Sequence, residues 1–391
     1  MSLFKIITPH ILPSPFVVAD HHVIASNVAE VDHAEYDPAL AYSVVGTRVI
    51  IKAPSATVTM GVSNPVVVTW TAFSLPAKSP VRLTTTGALL TGLSTSLTYY
   101  VKTKLTADTF TISERPGGAE LAASGTQSGV HTMTATRHDI YEVVSAVGIG
   151  EHPVVFPAKW VRVGATNKWK MLDSSTSSQT TNPDSIDYTF RTIGRADAVA
   201  LMGVKAATAQ VIVTDTIDGE VYNKTTSGIQ TDGIVTPSAW FFDPIEFKQE
   251  MDFTDIPTAF SSTDIQVILT NTGNTVLCSN CILGKLYSPG HTQVGINLGI
   301  EDFSIKNTDD FGNFQLSERG FSRQMDLTVL MQNTQIGKLH DLLSDYRATA
   351  AIYIGMSEYG STMVFGYYER FNTLIRYPTY SILTLELRGL T

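Results

Sequence analysis

The chain has 391 residues, of which 43% are hydrophobic and only 16% are charged, whereas about 25% of the residues in a typical soluble domain are charged. Its formal charge of -9 and its pI near 5.5 give no electrostatic basis for binding nucleic acid or an anionic membrane. The length suits roughly two to four domains, and an excess of Thr and Ser over charged residues favours β-sheet. We therefore predict a mostly β, multidomain protein that does not bind nucleic acid and does not insert into a membrane.

The first segment, residues 1–35, contains Pro9, Pro13 and Pro15 and shows no sustained helical period. This pattern predicts an extended N-terminal arm that lies on a neighbouring subunit and contains one short strand at Phe16–Val18. A proline follows Lys5 before an apolar core can form, so a signal peptide is not expected. No run approaches the roughly 18 apolar residues of a membrane span. We expect synthesis in a reducing cytoplasm without secretion or anchoring.

The second segment is a small β module formed by residues 36–56 together with 138–172. Tyr42, Tyr141 and Trp160 are its large aromatic residues. The order Tyr, Gly, Val, Tyr, Pro, Trp is similar to that of small chitin-binding modules, which implies that these three rings are possible glycan-binding residues, since aromatic faces stack on sugars. The interpretation that we favour is that the rings form the core of a module that has few other hydrophobic residues, and sugar binding is the alternative.

Residues 57–137 predict an all-β module inserted into a loop of the first one, because five short strands alternate there with Gly, Pro and Asp turns. A compact barrel or sandwich is expected. Its motifs Val68-Thr69-Trp70-Thr71, Thr85-Thr86-Gly87-Ala88-Leu89, Thr98-Tyr99-Tyr100-Val101 and Ala107-Asp108-Thr109-Phe110 resemble a small module that recurs in bacteriophage tail and virion proteins. That resemblance implies a virion protein.

Residues 173–300 predict a β-sandwich. Gln210–Thr214 and Ile265–Thr270 are apolar strands, and Asn271–Asn274 predicts a hairpin turn after the second of them. Leu201–Val204 and Cys281–Gly284 resemble the edges of a galactose-binding-like jelly roll. The same segment carries the chain's two cysteines, Cys278 and Cys281. No second pair completes a tetrahedral zinc set, so we predict two small buried residues at a β turn.

Residues 301–391 predict an α+β domain. Its one convincing helix runs from Thr334 to Tyr346, with Ile336, Leu339, Leu343 and Tyr346 on one stripe and with Asn333 or Thr334 as the N-cap. A strand precedes this helix and three strands follow it. The Gly337-Lys338-Leu339 segment and the closing Leu385-Glu386-Leu387-Arg388-Gly389-Leu390 segment are similar to small domains of phage tail-tip and baseplate proteins.

Motifs for catalysis or metal binding are weak. Ser357 lies in Gly355-Met356-Ser357-Glu358-Tyr359-Gly360, but a nucleophile elbow requires glycine where Tyr359 stands. Asp309 and Asp310 are adjacent on a predicted turn and cannot face each other across a cleft. The stretch Asp20-His21-His22 with Asp32-His33 predicts a solvated or intersubunit polar segment more than a metal site. We expect no catalytic residue, no metal ligand set and no cofactor.

The two phage-like segments imply a structural component of a tailed-phage virion, in the tail tip, baseplate or tail adaptor. Its expected partners are other tail or baseplate proteins and further copies of itself in a homo-oligomeric ring, joined through exposed strand edges. A virion carbohydrate-binding protein that contacts host surface glycans is the alternative. A hydrolase of surface polymer is the third hypothesis, and no facing acid pair supports it.

Overall fold

The computed structural model describes residues 2–9, 23–52, 55–71, 73, 75, 77, 79–95, 97–114, 118–135, 138–153, 156–173, 175–191, 195–215, 217–231, 234–260, 263–308, 314–347 and 349–390. The predicted fold class is confirmed: the chain is mostly β, with several sheets, a small closed barrel and one main helix. The described residues form two compact units. The module unit holds residues 23–24 and 29–173, and the sheet unit holds residues 2–9, 25–28 and 175–390.

The module unit contains a three-stranded sheet and a six-stranded closed barrel. Strands are numbered along the chain. The sheet has the order β11-β10-β3 and consists of β3 (Arg48–Lys52), β10 (His138–Val143) and β11 (Trp160–Ala165). The barrel has the order β4-β5-β8-β7-β6-β9 and consists of β4 (Ser55–Gly61), β5 (Val67–Thr69), β6 (Pro80–Thr85), β7 (Thr98–Lys104), β8 (Thr109–Ser113) and β9 (His131–Ala135).

The barrel lies where the sequence predicts an inserted module, and it contains one strand more than predicted. That strand is β4, in which Val58 and Met60 are buried while the residues between and beside them are exposed. Apolar residues at alternate positions of all six strands fill the interior. Phe73 and Phe110 stack there with ring centroids 4.0 Å apart. Because the strands close on one another, none of the six leaves a free edge.

The sheet unit is built on a nine-stranded sheet with the order β18-β13-β20-β1-β25-β26-β27-β24-β21. Its strands are β1 (Leu3–Pro9), β13 (Ala198–Met202), β18 (Glu250–Phe253), β20 (Asn280–Thr292), β21 (Asn297–Asp302), β24 (Phe321–Gln332), β25 (Ala351–Ile354), β26 (Met363–Leu374) and β27 (Tyr380–Gly389). An additional pairing between Gly290–Thr292 of β20 and Val329–Met331 of β24 makes six of these strands close on themselves.

The two faces of this closed part carry different apolar clusters. Ile6, Tyr353 and Val364 belong to one cluster, and their neighbours Ile7 and Phe365 belong to the other, as the alternation of side chains along a strand requires. The first cluster also contains Leu339 and Leu343 of the main helix, α2 (Ile336–Asp345). The helix thus buries its apolar stripe on the first face of the sheet.

Helix α2 agrees with the predicted helix, but its start differs from the prediction. A 3₁₀ turn at Asn333–Gln335 precedes it, and no side chain caps either element. The Asn333 amide Nδ2 instead donates to the carbonyl oxygens of Tyr377 and Pro378, both at 2.9 Å. Its Oδ1 atom, which an N-cap would use, accepts from the Ser381 hydroxyl, so Asn333 fixes the loop before β27 and is not available as an N-cap.

A five-stranded sheet with the order β15-β14-β19-β12-β2 completes the sheet unit, together with two short hairpins. Its strands are β2 (Val23–Ser26), β12 (Thr180–Arg191), β14 (Thr208–Asp215), β15 (Gly219–Ser227) and β19 (Thr263–Cys278). The hairpins pair β16 (Ile229–Gln230) with β17 (Glu246–Phe247) and β22 (Ile305–Thr308) with β23 (Phe314–Ser317). A short helix, α1 (Pro237–Phe242), lies between β16 and β17.

The predicted hairpin turn at Asn271–Asn274 is instead an irregularity within one long strand. Both halves of β19 pair with β12, and the register shifts between Pro183 and Ser185. Gly273 has φ of +80° and donates its N–H to the Asp184 carboxylate at 2.6 Å. The glycine supplies the left-handed backbone that a turn also needs, so local sequence does not distinguish the two outcomes.

The N-terminal segment differs from the predicted arm. Residues 3–9 form β1, an interior strand between β20 and β25, and the side chains of Phe4, Ile6 and Ile7 are buried. The predicted strand Phe16–Val18 lies outside the described residues. Further along, Glu30 accepts hydrogen bonds from His138 and Thr166 within the module unit. The alternating apolar residues from Phe4 to Ile7 explain the strand, since they outweigh the proline that follows them.

The predicted boundary at residue 300 also differs from the structure. The nine-stranded sheet takes β1, β13, β18 and β20 from one side of that position and β24–β27 from the other. Residues 175–390 consequently form one unit, with no division at residue 300. The prediction placed a boundary where a strand-rich sequence gives way to one that contains a helix. Strands that are distant in sequence can nevertheless share one sheet.

Candidate interaction surfaces

The three predicted aromatic residues of the small module lie in one cluster. Tyr141 and Trp160 are buried in its core, with Trp160 only 2% exposed, and Tyr42 is half-buried against them. The Tyr42 and Trp160 ring centroids are 5.3 Å apart with an interplanar angle of 66°. Trp160 Nε1 donates to the Glu151 carbonyl oxygen at 3.0 Å. Neither face of the Trp160 ring is therefore free to receive a sugar.

Sequence reasoning missed a fourth ring, Tyr36, which stacks on Tyr42 with centroids 5.7 Å apart. The backbone N–H of Asp37 donates to the Tyr42 hydroxyl oxygen at 2.8 Å. Burial raises the pKa of Tyr36, and the nearby Tyr42 and Asp37 raise it further. The Tyr-Asp-Pro sequence at Tyr36–Pro38 is the signal that could have found this residue, because it turns the chain back over the module. The geometry favours the core interpretation of these rings over a sugar platform.

The first exposed apolar surface is the edge-strand surface, formed by β21 and the hairpin that follows it. All six residues of β21 are exposed, and β21 is the last strand of the nine-stranded sheet. Its pairing with β24 is regular from Asn297 to Asp302, with no bulge. The exposed apolar residues of this surface are Leu298, Ile300, Phe303, Phe314, Leu316 and Phe321.

Natural proteins usually protect such an edge with lysine, proline or a bulge. Strand β21 has none of these three features. Its charged residues, Glu301 and Asp302, stand at its last two positions, where Arg388 Nη1 and Gln324 Nε2 donate to the Glu301 carboxylate at 2.6 and 3.1 Å. An edge strand that is regular, exposed and partly apolar is a template for pairing with another chain.

The second exposed apolar surface is the aromatic tip, the part of the chain between β16 and β17. Trp240, Phe241 and Phe242 lie on α1 and are 62%, 77% and 84% exposed. Val235 and Ile245 beside them are also largely exposed. Three consecutive exposed aromatic residues are uncommon on a monomer, and exposed apolar patches mark interaction sites.

A small apolar pocket lies elsewhere in the sheet unit and has a volume of about 160 Å³. Its apolar lining consists of Met202, Phe321, Val364, Phe365 and Leu390. Arg323 and the exposed Ser177 lie at its wall. Phe321, which belongs to the edge-strand surface, pairs with Asp302 at the end of β21. The pocket and the edge-strand surface are therefore continuous.

A larger polar cleft, of about 530 Å³, is lined in part by Glu250, Asp252 and Ser357. The Lys5 Nζ atom donates to Ser357 Oγ and Thr254 Oγ1 at 2.7 Å each, and it lies 3.3 Å from Asp252. A serine beside a lysine suggests a Ser-Lys pair. Here the same lysine also contacts Thr254 and Asp252, so its contacts tie β1 to the end of β18 and to the turn that carries Ser357.

The two cysteines lie where the sequence predicts, buried and unpaired at the turn between β19 and β20. Burial raises the pKa of Cys278 to about 12 and raises that of Cys281 well above its ordinary value. Within the described ranges, no group of three or more His, Cys, Asp or Glu residues could hold a metal ion. Asp20–His22 and Asp309–Asn313 lie outside the described residues.

Comparisons with known proteins add no relative. Neither a scan against protein-family models nor searches of curated proteins and of solved structures find a match. Among the described residues, no helix is both long and apolar enough to cross a membrane.

Proposed function

We propose that this protein is a structural component of a tailed-phage virion, in the tail tip, baseplate or tail adaptor, and that it acts by self-association and by contacts with other virion proteins. The observation that carries the proposal is the unprotected edge strand β21 with its apolar residues Leu298 and Ile300. The virion location rests on the resemblance of the segment 57–137 and of the C-terminal motifs to phage tail proteins.

Pairing of β21 with another copy would satisfy the backbone N–H and C=O groups that point away from β24. It would also bury Leu298 and Ile300, which are 48% and 65% exposed. A ring follows when β21 pairs with a different surface of the next copy, because only such a head-to-tail contact can close by rotation into a ring.

Two measurements test this proposal. Mass photometry of the purified chain over a concentration series should show discrete oligomers, and a chain that stays monomeric at every concentration would contradict self-association. Gold labelling of intact source virions with an antibody against residues 57–137 should place label at the tail end. Absence of label from every particle would contradict the virion location.

Glycan binding by the small module is the second candidate, and the half-buried stacked pair of Tyr36 and Tyr42 is the observation that favours it. A sugar would have to contact the outer face of this pair, because Trp160 is enclosed. A glycan array probed with the native chain and with Tyr42→Ala tests this candidate. Binding that the substitution does not reduce would exclude a role for this pair.

A further inference from the structure

Strand β21 differs from the other outer strands of the nine-, five- and three-stranded sheets, within the residues that the structure describes. Natural outer strands are protected by shortness, by a bulge or by a covering segment. Strands β2 and β18 have four residues each. Strands β11 and β15 contain a bulge, at Val163 and Val221, and backbone hydrogen bonds with Ala34 and Tyr36 cover Ile50 of β3. Strand β21 has six exposed residues in a regular pairing, so the edge that can best accept it is the same edge of a second copy.

Two copies that meet through the same edge are related by a two-fold axis. An axis along the strands would pair them parallel and would invert one sheet, so that the apolar face of one copy continued into the polar face of the other. An axis perpendicular to the sheet pairs the strands antiparallel and joins like faces. Leu298 and Ile300 share one face of β21 with the buried Met325 of β24, and Glu301 shares the other face with Gln324. Antiparallel pairing is therefore favoured, because it brings the exposed apolar residues of the two copies together.

One antiparallel register matches the side chains of the two strands. It places Gly299 of one copy opposite Gly299 of the other. Leu298 then lies opposite Ile300 on the apolar face, where cross-strand apolar pairs stabilise a sheet. On the polar face, Asn297 lies opposite Glu301, and the amide can donate to the carboxylate.

Neighbouring registers are less favourable. A shift of one residue would set the apolar side chains of one copy against the polar face of the other. A shift of two residues in one direction places Leu298 opposite the charged Asp302. The same shift in the other direction places Ile300 opposite Ile296, which precedes the strand, and leaves fewer strand residues paired. The sequence of β21 thus specifies the register that is centred on Gly299.

We propose that β21 pairs antiparallel with β21 of a second copy, about a two-fold axis at Gly299. This inference rests on the proposed self-association and specifies the geometry of one contact in it. The second copy is favoured as the occupant because the side chains of the strand complement one another under this axis and because the other described edges are protected. The contact gives a closed dimer, and a ring requires a further contact between such dimers.

Cysteine substitutions on the polar face measure this register. In the proposed pair, the two thiols of Gly299→Cys face each other across the axis. Those of Asn297→Cys, and likewise those of Glu301→Cys, are offset by about 14 Å along the strands, whereas a disulfide requires Cα atoms within about 7 Å of each other. Mild oxidation should thus convert Gly299→Cys to a covalent dimer at least about tenfold faster than the other two variants. A side chain at position 299 fits the fold, because a Cβ atom there would lie 3.8 Å from Gln324, its nearest neighbour.

The apolar face supplies an independent measurement. The thiols of Leu298→Cys and Ile300→Cys lie opposite each other only when one copy of each variant pairs. An equimolar mixture should therefore form disulfide-linked dimers faster than either variant does alone.

Two controls report on background cross-linking. Cys278 and Cys281 are buried, so the native chain should give no covalent dimer. Ile217 is exposed at a turn between β14 and β15, so Ile217→Cys measures random collisions and should cross-link as slowly as Asn297→Cys. Near-native thermal unfolding of all reduced variants confirms that they fold.

The outcomes separate this inference from the proposed function. Oligomers in sedimentation velocity, together with equal oxidation rates at positions 297, 299 and 301, would overturn the register and leave self-association standing. Oligomers of a Gly299→Cys chain that cross-links no faster than Ile217→Cys would do the same. A native chain that remains monomeric at every concentration would overturn both.

Discussion

Replacing the two apolar residues of the edge strand should weaken self-association while leaving the fold intact. The change is Leu298→Thr/Ile300→Thr. Threonine is β-branched and suits a strand, so β21 should still pair with β24. Full burial of a Leu or Ile side chain is worth about 1.5–3 kcal/mol. Leu298 and Ile300 are 48% and 65% exposed, so about half of that value per residue remains to be gained from a partner.

The two substitutions together should therefore remove about 2 kcal/mol of association free energy, which corresponds to a roughly 30-fold higher dissociation constant. Mass photometry or sedimentation velocity over a concentration series measures this change. The free energy of unfolding of the monomer, measured by chemical denaturation, should change by no more than about 0.5 kcal/mol, as is usual for exposed positions.

A matched control is Ile217→Thr, since this residue is 89% exposed but lies at a turn and not on a free edge. It loses a similar apolar side chain and should leave association unchanged. If Ile217→Thr weakened self-association as much as the edge-strand variant does, self-association would depend on the overall polarity of the surface and not on β21. No weakening by the edge-strand variant would refute the reasoning that places a copy-to-copy contact at β21.

Four further predictions concern stability and reactivity. Burial alone would raise the pKa of Glu30, but hydrogen bonds from His138 and Thr166 lower it below its ordinary value of 4.5. The ionised Glu30 side chain therefore stabilises the fold above pH 4.5, and this stabilisation is lost as the pH falls through the pKa of Glu30 in the folded protein. Glu30→Gln should thus lower the free energy of unfolding by about 2 kcal/mol at neutral pH, and chemical denaturation should show the difference shrinking as the pH falls below 4.5. Native Cys278 and Cys281 should resist iodoacetamide at about pH 8 and react only after unfolding, as mass spectrometry would detect; rapid native alkylation would contradict their burial. Trp160→Ala should destabilise the small module by about 3–5 kcal/mol, and hydrogen exchange of β10 and β11 should rise accordingly. Leu339→Ala should lower the free energy of unfolding of the sheet unit by about 2–5 kcal/mol. A change at the exposed His340 on the same helix should lower it far less.

The parts of the fold that follow from local pattern were predictable, and the parts set by distant pairing were not. Alternation identified most barrel strands, and the stripe of Leu339 and Leu343 identified α2, because burial on one face imposes a period. The place of β1 depended on its partners β20 and β25, which lie hundreds of residues away. Nothing within residues 1–35 specifies those partners, so the proline-rich composition suggested an arm.

The candidate surfaces show the same division. Trp240-Phe241-Phe242 is plain in the sequence, but three consecutive aromatic residues occur in cores as readily as on surfaces. Only the short pairing of β16 with β17 places them outside. Similarly, Leu298 and Ile300 alternate as in any half-buried strand. Their exposure follows from the position of β21 at the end of the sheet, which is a property of the topology and not of the six residues.

The low charge of the chain connects these surfaces to assembly. About 25% of the residues of a typical soluble domain are charged, whereas only 16% are charged here. The exposed faces must then be filled largely by Thr, Ser and apolar residues, which protect poorly against association. Two of the least protected places, β21 and the aromatic tip, belong to the sheet unit. If they were simply exposed in the working protein, replacing their apolar residues by polar ones would improve solubility without affecting self-association. If they are contacts, the same replacements should weaken self-association while the monomer stays folded.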